Sequence, residues 1–331
     1  MALRKRMMGL VGLIGVGALA LGLSGCSGSS AEGESTSGKT LTVGFVAVGP
    51  EGAWRDANAK AIKAAFSKDA GFDLKYAPAA SPTDQKSQID AFKTFVNDGV
   101  DAILLTATEA SGWDDSLKLA KEADIPVVLL DRGVDSKDSL YVTRIAPDNV
   151  KVAGEVGKWA LSTFPNGAKY YVLEGVPGLS VVNERNEGFD AAIKGQSGWN
   201  KVGAQTANWT ADEGKSVIET VLKQNPDLQF IFAQNDEMGI GAAAAVKAAG
   251  KTPGTDVKIA TIDGTTGALK ALAAGDLSFV AQYNPFFGTQ AVDAVKKAVA
   301  GKSVDKTIIV PGETFDSPKA AQAALDAGKG F

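Results

Sequence analysis

The chain has 331 residues, 45% hydrophobic and 22% charged, which is ordinary globular composition and, at about 150 residues a domain, enough for two domains. It has no histidine and one cysteine, Cys26, which excludes a Ser-His-Asp triad, a Cys-His pair, a histidine-bound metal centre and an intramolecular disulfide. The net charge of −4 argues against a nucleic-acid partner, because such proteins carry a basic domain or stripe.

The first 26 residues have the pattern of an export signal. Basic residues at positions 4–6 precede an apolar and glycine run over 7–23, which is shorter than the roughly 20 residues that a bilayer-spanning helix needs. The pattern predicts a signal peptide over 1–25. Its end, Leu-Ser-Gly-Cys closing at Cys26, resembles the lipobox of bacterial lipoproteins, which implies a lipid on the Cys26 sulfur and a membrane anchor outside the cytoplasm. An ordinary signal peptide with an unmodified cysteine is the alternative.

Residues 26–39 are predicted to form a flexible tether, because small polar residues follow Cys26 without apolar periodicity. Residues 33–40 also match the pattern of a phosphate-binding P-loop. A P-loop needs a strand before it and a helix after it, so that the helix N-terminus faces the phosphates. This segment instead follows a linker and precedes a predicted strand, so we assign it no nucleotide.

From Thr40 onward, short apolar runs alternate with segments of helical period. Strands are predicted over 41–48, 72–76, 102–105, 127–130, 140–142, 170–173, 202–205, 230–232, 258–262, 278–281 and 307–310. Strands that alternate with helices predict parallel sheets covered by helices, and about eleven strands are too many for one sheet of ordinary size. The predicted fold class is therefore α/β, with two doubly wound parallel-sheet lobes.

Ligands of doubly wound sheets bind beyond the carboxyl ends of the strands. Here the residues that follow the predicted strands are rich in aromatic side chains, arginines, amides and carboxylates, over 49–55, 106–108, 131–132, 235–237, 263–264 and 282–284. These side chains suit a neutral, hydroxyl-rich ligand better than a phosphate or a metal ion. We therefore expect no cofactor and no metal.

Six stretches resemble the periplasmic sugar-binding proteins of ABC importers, in the ribose/galactose-binding group with the type I fold: 42–45, 99–103, 125–132, 185–189, 232–238 and 262–264. Within that group, residues 52–55, 111–113 and 129–132 are most similar to galactofuranose-binding proteins and to actinobacterial fructose-binding lipoproteins. The resemblance covers the chain from residue 40 to about 310.

The resemblance implies two lobes joined by three crossings, near 146–147, 282–283 and 310–311. Lobe one would comprise 40–145 and 283–310, and lobe two 146–282 and 311–331. Such a protein is a monomeric receptor and not an enzyme. It closes on one neutral monosaccharide, galactofuranose- or fructose-like, and delivers it to the ABC permease in the membrane.

The resemblance also implies roles for individual residues. Asp131 and Arg132 would hold adjacent sugar hydroxyls through charge-assisted hydrogen bonds, and Arg185 would add a second guanidinium from lobe two. Asp263 would accept from the anomeric hydroxyl, although Asp at this place is also a common helix N-cap. A surface ion pair for Asp131 and Arg132, and a solvated helix position for Arg185, are the alternatives.

The remaining candidates are amides, aromatic side chains and hydroxyls. Trp54 and Trp209 would sandwich the apolar faces of the sugar ring, with core packing as the alternative for Trp209. The other candidates are Asn235 and Gln282 for neighbouring hydroxyls, Arg55 and Trp113 for an exocyclic arm, and Glu51, Thr106 and Thr108 as further contacts.

Other functions compete with transport. A sugar sensor that signals to a chemoreceptor or histidine kinase would have the same fold and site. A repressor of related fold needs an N-terminal helix-turn-helix, where this chain has a predicted signal and tether. A glycosidase would need a free carboxylate pair, whereas the carboxylates here are assigned as hydroxyl acceptors. Residues 239–241 imitate a dinucleotide-binding fingerprint, but that motif belongs on the first βα turn.

Overall fold

The computed structural model describes residues 39–331. The predicted signal peptide over 1–25, the lipidation site at Cys26 and the tether up to residue 38 lie outside the described residues. Two six-stranded sheets and ten α-helices make up the described part of the chain. No helix between residues 39 and 331 combines the length and the apolar character that a bilayer crossing requires.

Lobe one contains a wholly parallel sheet with the strands β1 (Leu41–Ala47), β2 (Phe72–Pro78), β3 (Ala102–Leu105), β4 (Val127–Leu130), β5 (Thr143–Ala146) and β11 (Thr307–Ile309). The strand order is β11-β5-β4-β3-β1-β2. Its helices are α1 (Ala53–Ala65), α2 (Gln85–Asn97), α3 (Asp114–Glu122) and α9 (Gly288–Val299).

Lobe two repeats this plan with β6 (Lys169–Glu174), β7 (Asn200–Thr206), β8 (Phe230–Ala233), β9 (Lys258–Asp263), β10 (Phe279–Gln282) and β12 (Thr314–Phe315). The order is β12-β10-β9-β8-β6-β7, and only the edge strand β12 pairs antiparallel within the described sheet. Its helices are α4 (Asn149–Thr163), α5 (Ser180–Ile193), α6 (Ala211–Gln224), α7 (Asp236–Ala248), α8 (Thr266–Ala273) and α10 (Pro318–Asp326). The predicted fold class is confirmed.

Two strands depart from the sequence prediction. The strand expected at 140–142 was wrong: Asp138–Leu140 forms a short 3₁₀ helix, and β5 begins at Thr143, where its pairing with Val128 of β4 starts. Arg144 in the middle of β5 interrupts the apolar pattern by which such a strand is recognised. The two-residue β12 has too little pattern to be predicted.

Both sheets have fully buried strands whose carboxyl ends carry the polar residues. Every residue of β3, β4, β8 and β10 is buried, as expected for parallel strands covered on both faces. The order reverses between β1 and β3 in lobe one and between β6 and β8 in lobe two. Doubly wound sheets bind ligands at this switch point, beyond the strand ends.

Candidate functional site

A cavity at the strand ends is lined by residues of both lobes. Its empty volume, which includes part of the open cleft, is about 420 Å³. That is several times what one water needs, and it suits one small ring rather than an oligomer. The lining residues that the sequence predicts are Glu51, Trp54, Arg55, Asp131, Arg132, Arg185, Trp209, Asn235 and Asp263. Three further lining residues were given no role by the sequence, namely Val181, Glu237 and Tyr283, although Glu237 and Tyr283 lie in the strand-end segments 235–237 and 282–284.

Lobe one contributes two arginines and two carboxylates that form one buried ion-pair network. Arg55 Nη2 donates to Asp131 Oδ2 at 2.7 Å, and Arg132 Nη2 donates to Glu51 Oε2 at 2.7 Å. Arg55 Nε also reaches Glu51 Oε2 at 3.4 Å. Burial by itself would raise the pKa of Asp131, but the charges of Arg55 and Arg132 outweigh it and hold that pKa below its ordinary value. The network thus keeps the Asp131 carboxylate ionised inside the cavity wall.

Lobe two contributes Arg185 of α5 and Asp263 at the end of β9. Arg185 Nε donates to Asn149 Oδ1 at 2.9 Å, and Nη1 donates to the carbonyl of Gln234. Its Nη2 lies 3.8 Å from Asp263 Oδ1, too far for a hydrogen bond. Burial raises the pKa of Asp263 well above its ordinary value, and the charge of Arg185 opposes this. A ligand hydroxyl between them could donate to the carboxylate and accept from the guanidinium.

Aromatic rings line both sides of the cavity. Trp54 Nε1 donates to the Tyr283 carbonyl at 2.5 Å, and the guanidinium of Arg55 lies 4.8 Å from the centre of the Trp54 ring. The guanidinium of Arg185 lies 4.7 Å from the centre of the Tyr283 ring and 5.6 Å from that of Trp209. Each indole therefore has an arginine beside it, which restricts how the ring can turn.

Backbone strain is concentrated at this cavity. Asp131, Trp209 and Asp263 all have positive φ angles, of 65°, 65° and 141°. Such conformations cost of the order of 1–3 kcal/mol for residues other than glycine, and they cluster where function requires them. The loop after Asp263 is held by Asp236, whose Oδ2 accepts from Gly264 N at 2.9 Å and Thr265 N at 2.7 Å.

Three buried nitrogens of the lining residues have no hydrogen-bond partner within residues 39–331: Arg55 Nη1, Arg132 Nε and Trp209 Nε1. The great majority of buried polar side-chain atoms in folded proteins do have a partner. All three atoms are donors, so a partner gained on ligand binding would have to be an acceptor.

Asn235 is engaged within lobe two. Its Oδ1 caps α7 by accepting from Met238 N at 3.0 Å. Its Nδ2 donates to the Trp209 carbonyl at 3.1 Å and to Glu237 Oε2 at 2.9 Å. Both amide hydrogens are used, so Asn235 offers a ligand one acceptor lone pair and no donor.

Four predicted residues are not brought to the cavity. Trp113 is fully buried in the core of lobe one, where its Nε1 donates to the Glu109 carbonyl at 2.9 Å. The indole of Trp113, predicted to contact an exocyclic arm, therefore packs in the core and does not line this cavity. Thr106 and Thr108 are buried on either side of Gln88, which bonds the Thr106 carbonyl and the Thr108 amide, both at 2.8 Å.

Gln282 is the fourth predicted site residue that does not line the cavity. Its side-chain Oε1 accepts from the backbone N–H of Glu313 at 3.3 Å, and its backbone N–H donates to the Glu313 carbonyl at 2.7 Å. These bonds join the end of β10 to the segment just before β12, so the side chain is turned away from the ligand cavity towards the lobe crossing. Among residues 39–331, no group of three or more Asp, Glu, His or Cys side chains is arranged to hold a metal ion.

The two lobes and the polar cavity between them define a two-lobed solute-binding protein, and comparison with known proteins gives its family. Residues 43–303 match the periplasmic binding protein domain, so the chain belongs to that family. It is 49% identical over 321 residues to the fructose import binding protein of Bifidobacterium longum (strain NCC 2705), covering 95% of each chain.

Two further proteins are also similar. The galactofuranose-binding protein of Escherichia coli (strain K12) is 36% identical over 295 residues, covering 87% of this chain and 92% of the relative. A crystal structure from Mycobacterium smegmatis in complex with beta-D-fucofuranose is 39% identical with a TM-score of 0.82, and the match covers 87% of this chain and 95% of that one. The family is one of binding proteins rather than enzymes.

Proposed function

We propose that the cavity binds one neutral monosaccharide in furanose form, galactofuranose- or fructose-like, as the receptor step of an ABC importer. The observation that carries the proposal is a cavity wall in which the guanidinium donors of Arg55, Arg132 and Arg185 lie among carboxylate acceptors. Sugar hydroxyl oxygens accept such hydrogen bonds and at the same time donate to carboxylates.

The rest of the cavity wall supports the same ligand class. Asp131 and Asp263 stand on opposite lobes as acceptors for hydroxyl groups, and Trp54 and Trp209 offer apolar ring faces. The two guanidinium groups of Arg55 and Arg132 are matched by the two carboxylates of Glu51 and Asp131, so this part of the cavity wall has no surplus of cations that would favour a phosphate. A neutral, hydroxyl-rich ring is complementary to this mixture.

The similar proteins support a furanose. Their names or crystal contents specify fructose, galactofuranose and beta-D-fucofuranose, and the last two are five-membered rings with an exocyclic arm. The cavity has room for one such ring.

Delivery requires that the lobes open and close. We assign lobe one to 40–145 and 283–310 and lobe two to 146–282 and 311–331, with the crossings near 146–147, 282–283 and 310–311. A few residues at the ends of strands absorb the rotation in hinges of this kind. The closed, sugar-bound monomer is the form that the membrane permease would recognise.

We propose further that this receptor works outside the cytoplasm and is held to the membrane by a lipid on Cys26, a proposal that the lipobox-like end of the predicted signal peptide supports. Wild-type protein should therefore partition into detergent, and Cys26→Ala should be retained unprocessed or released. Recovery of the wild type as a free, secreted protein would overturn the anchor while leaving the sugar site untouched.

A thermal-shift panel tests the ligand class. It would contain galactofuranose, fructose, galactose, ribose, arabinose and xylose, with phosphorylated sugars for comparison. A ligand at 100 times its dissociation constant stabilises the folded protein by about 2.7 kcal/mol. One or two neutral sugars should raise the midpoint and the phosphorylated sugars should not. A shift with phosphorylated or acidic compounds alone would refute the neutral-sugar site.

A further inference from the structure

Glu237 is a lining residue to which the family resemblance assigns no role, and its carboxylate bonds to both lobes. It lies half-buried in the first turn of α7 in lobe two. Its Oε2 accepts from Asn235 Nδ2 at 2.9 Å, and its Oε1 accepts from the backbone amide of Ala53 in lobe one at 3.2 Å.

The amide of Ala53 is the first of α1, a helix whose own sequence does not cap it. Gly52 stands at the N-cap with φ 94° and provides no side-chain hydrogen bond. The first amides of a helix need acceptors, and a carboxylate there also interacts favourably with the helix dipole. A Cβ atom at Gly52 would lie only 3.0 Å from Glu237 Oε1, so the glycine leaves room for the carboxylate of the other lobe.

The two ends of this contact lead directly to the cavity. The first turn of α1 carries Trp54 and Arg55, and Asn235, which holds the other oxygen of Glu237, also bonds the Trp209 carbonyl. One carboxylate therefore connects the wall of Trp54 with the wall of Trp209. Glu237 also lines an adjoining cavity together with Trp209, so it borders the space next to the binding cavity.

We propose that Glu237 is a positioning residue for closure: its carboxylate caps α1 from the opposite lobe and holds the two aromatic walls at the spacing that retains the ligand. The identity of the ligand in this inference rests on the proposed function, whereas the contact between Glu237 and Ala53 does not depend on it. Opening the cleft breaks the bond between Glu237 and Ala53, so the contact acts on ligand release rather than on entry.

Stopped-flow tryptophan fluorescence with D-fructose, on the full-length protein, tests this. Glu237→Ala should raise the dissociation rate constant roughly twofold to thirtyfold, the range expected for the loss of a helix cap, and leave the association rate constant unchanged. Glu237→Gln should show a smaller rise, because its amide oxygen can still accept. The charge-matched control is Asp212→Asn, which alters an exposed carboxylate in the first turn of α6.

Small-angle X-ray scattering without sugar gives a second readout. Glu237→Ala and Glu237→Gln should have a larger radius of gyration than the wild type and Asp212→Asn. Wild-type dissociation rates and wild-type scattering in both Glu237 variants would overturn the role of Glu237. If the wild type itself fails to bind D-fructose, fructose is removed from the proposed ligand class, and the scattering comparison still decides the role of Glu237.

Discussion

Tyr283, which follows β10 at a lobe crossing, donates a 2.8 Å hydrogen bond from its hydroxyl to Oδ1 of Asp131, at the end of β4. The same hydroxyl accepts from Asn149 Nδ2 at 3.2 Å, in the first turn of α4. Tyr283 is fully buried, and burial raises the pKa of its hydroxyl well above the ordinary value, with the charge of Asp131 acting in the same direction. The hydroxyl therefore stays protonated and ties the Asp131 carboxylate of the cavity wall to the crossing.

Tyr283→Phe should lower the free energy of unfolding by about 1.5–3 kcal/mol, because a buried carboxylate loses one of its donors. Denaturant unfolding monitored by circular dichroism measures this. The control is Tyr141→Phe, whose hydroxyl bonds the carboxylate of Asp138 at 2.7 Å on the surface. An equal loss of unfolding free energy in the two variants would show that the buried hydrogen bond of Tyr283 stabilises the fold no more than the exposed one of Tyr141.

Arg132→Ala and Asp263→Ala should each weaken sugar binding by about 2–5 kcal/mol, or roughly thirtyfold to several thousandfold in affinity, since each removes the protein side of a buried, charged hydrogen bond to the sugar. Titration calorimetry with D-fructose measures the loss. Lys118→Ala and Asp115→Ala remove members of an exposed ion pair on α3 and should bind as the wild type does. Near-wild-type affinity in both cavity variants would disprove a clamp made by the two lobes.

The sequence predicts this fold and most of the cavity because apolar runs mark strands and ligands bind where strands end. Asp131 directly follows β4, Asp263 ends β9 and Asn235 follows β8, so their places along the chain determine their places in the site. Tyr283 is open to the same reasoning, since it directly follows β10. Its aromatic ring gives no sign that the hydroxyl reaches the other lobe.

The side chains that sequence reasoning misplaced depend on contacts that no local pattern encodes. Trp113 precedes α3, and only packing against Phe92, with ring centres 6.1 Å apart, decides that its indole faces the core. Gln282 turns to Glu313 because the short strand β12 adds to the sheet edge. Glu237 was missed because its partner is a backbone amide 184 positions away in the chain.

The stability of the protein should depend on pH through Asp236. This carboxylate is fully buried, and although Thr261 and Thr265 donate to it at 2.6 Å and 2.8 Å, burial raises its pKa from 3.8 to about 7. As the pH falls, a carboxyl group whose pKa is raised by folding is protonated in the folded protein at a higher pH than in the unfolded chain. Its contribution to stability is complete below the unfolded value of about 3.9 and disappears as the pH rises through about 7.

Asp236→Asn tests this. Between pH 8 and pH 5, the wild type should gain up to about 1.4 kcal/mol of unfolding free energy per pH unit relative to the variant, because asparagine does not titrate. Burial also raises the pKa values of Asp263 and Glu237, which titrate in both proteins. Because the charge of Asp236 contributes to the raised pKa of Asp263, the difference between the two curves reports Asp236 together with its coupling to Asp263. Parallel curves in denaturant unfolding across this pH range would refute the raised pKa.

Sugar binding should change the intrinsic tryptophan fluorescence through the two indoles that line the cavity. Trp54 and Trp209 retain 7% and 9% of their exposure, and a ligand between the lobes would remove it. Trp159 packs instead on Phe279, with ring centres 5.2 Å apart, and Trp113 lies in the core of lobe one.

Titration of Trp54→Phe and Trp209→Phe with D-fructose should therefore give a reduced fluorescence change, whereas Trp159→Phe and Trp113→Phe should keep the wild-type change. Calorimetry on the same four variants separates loss of signal from loss of binding. Because Trp209 is strained and its Nε1 is unpaired within the described chain, Trp209→Phe should also bind more weakly than Trp159→Phe. A full fluorescence change in both cavity variants would mean that the ring-stacking walls lie elsewhere, and loss of the change in Trp113→Phe alone would return that residue to the binding site.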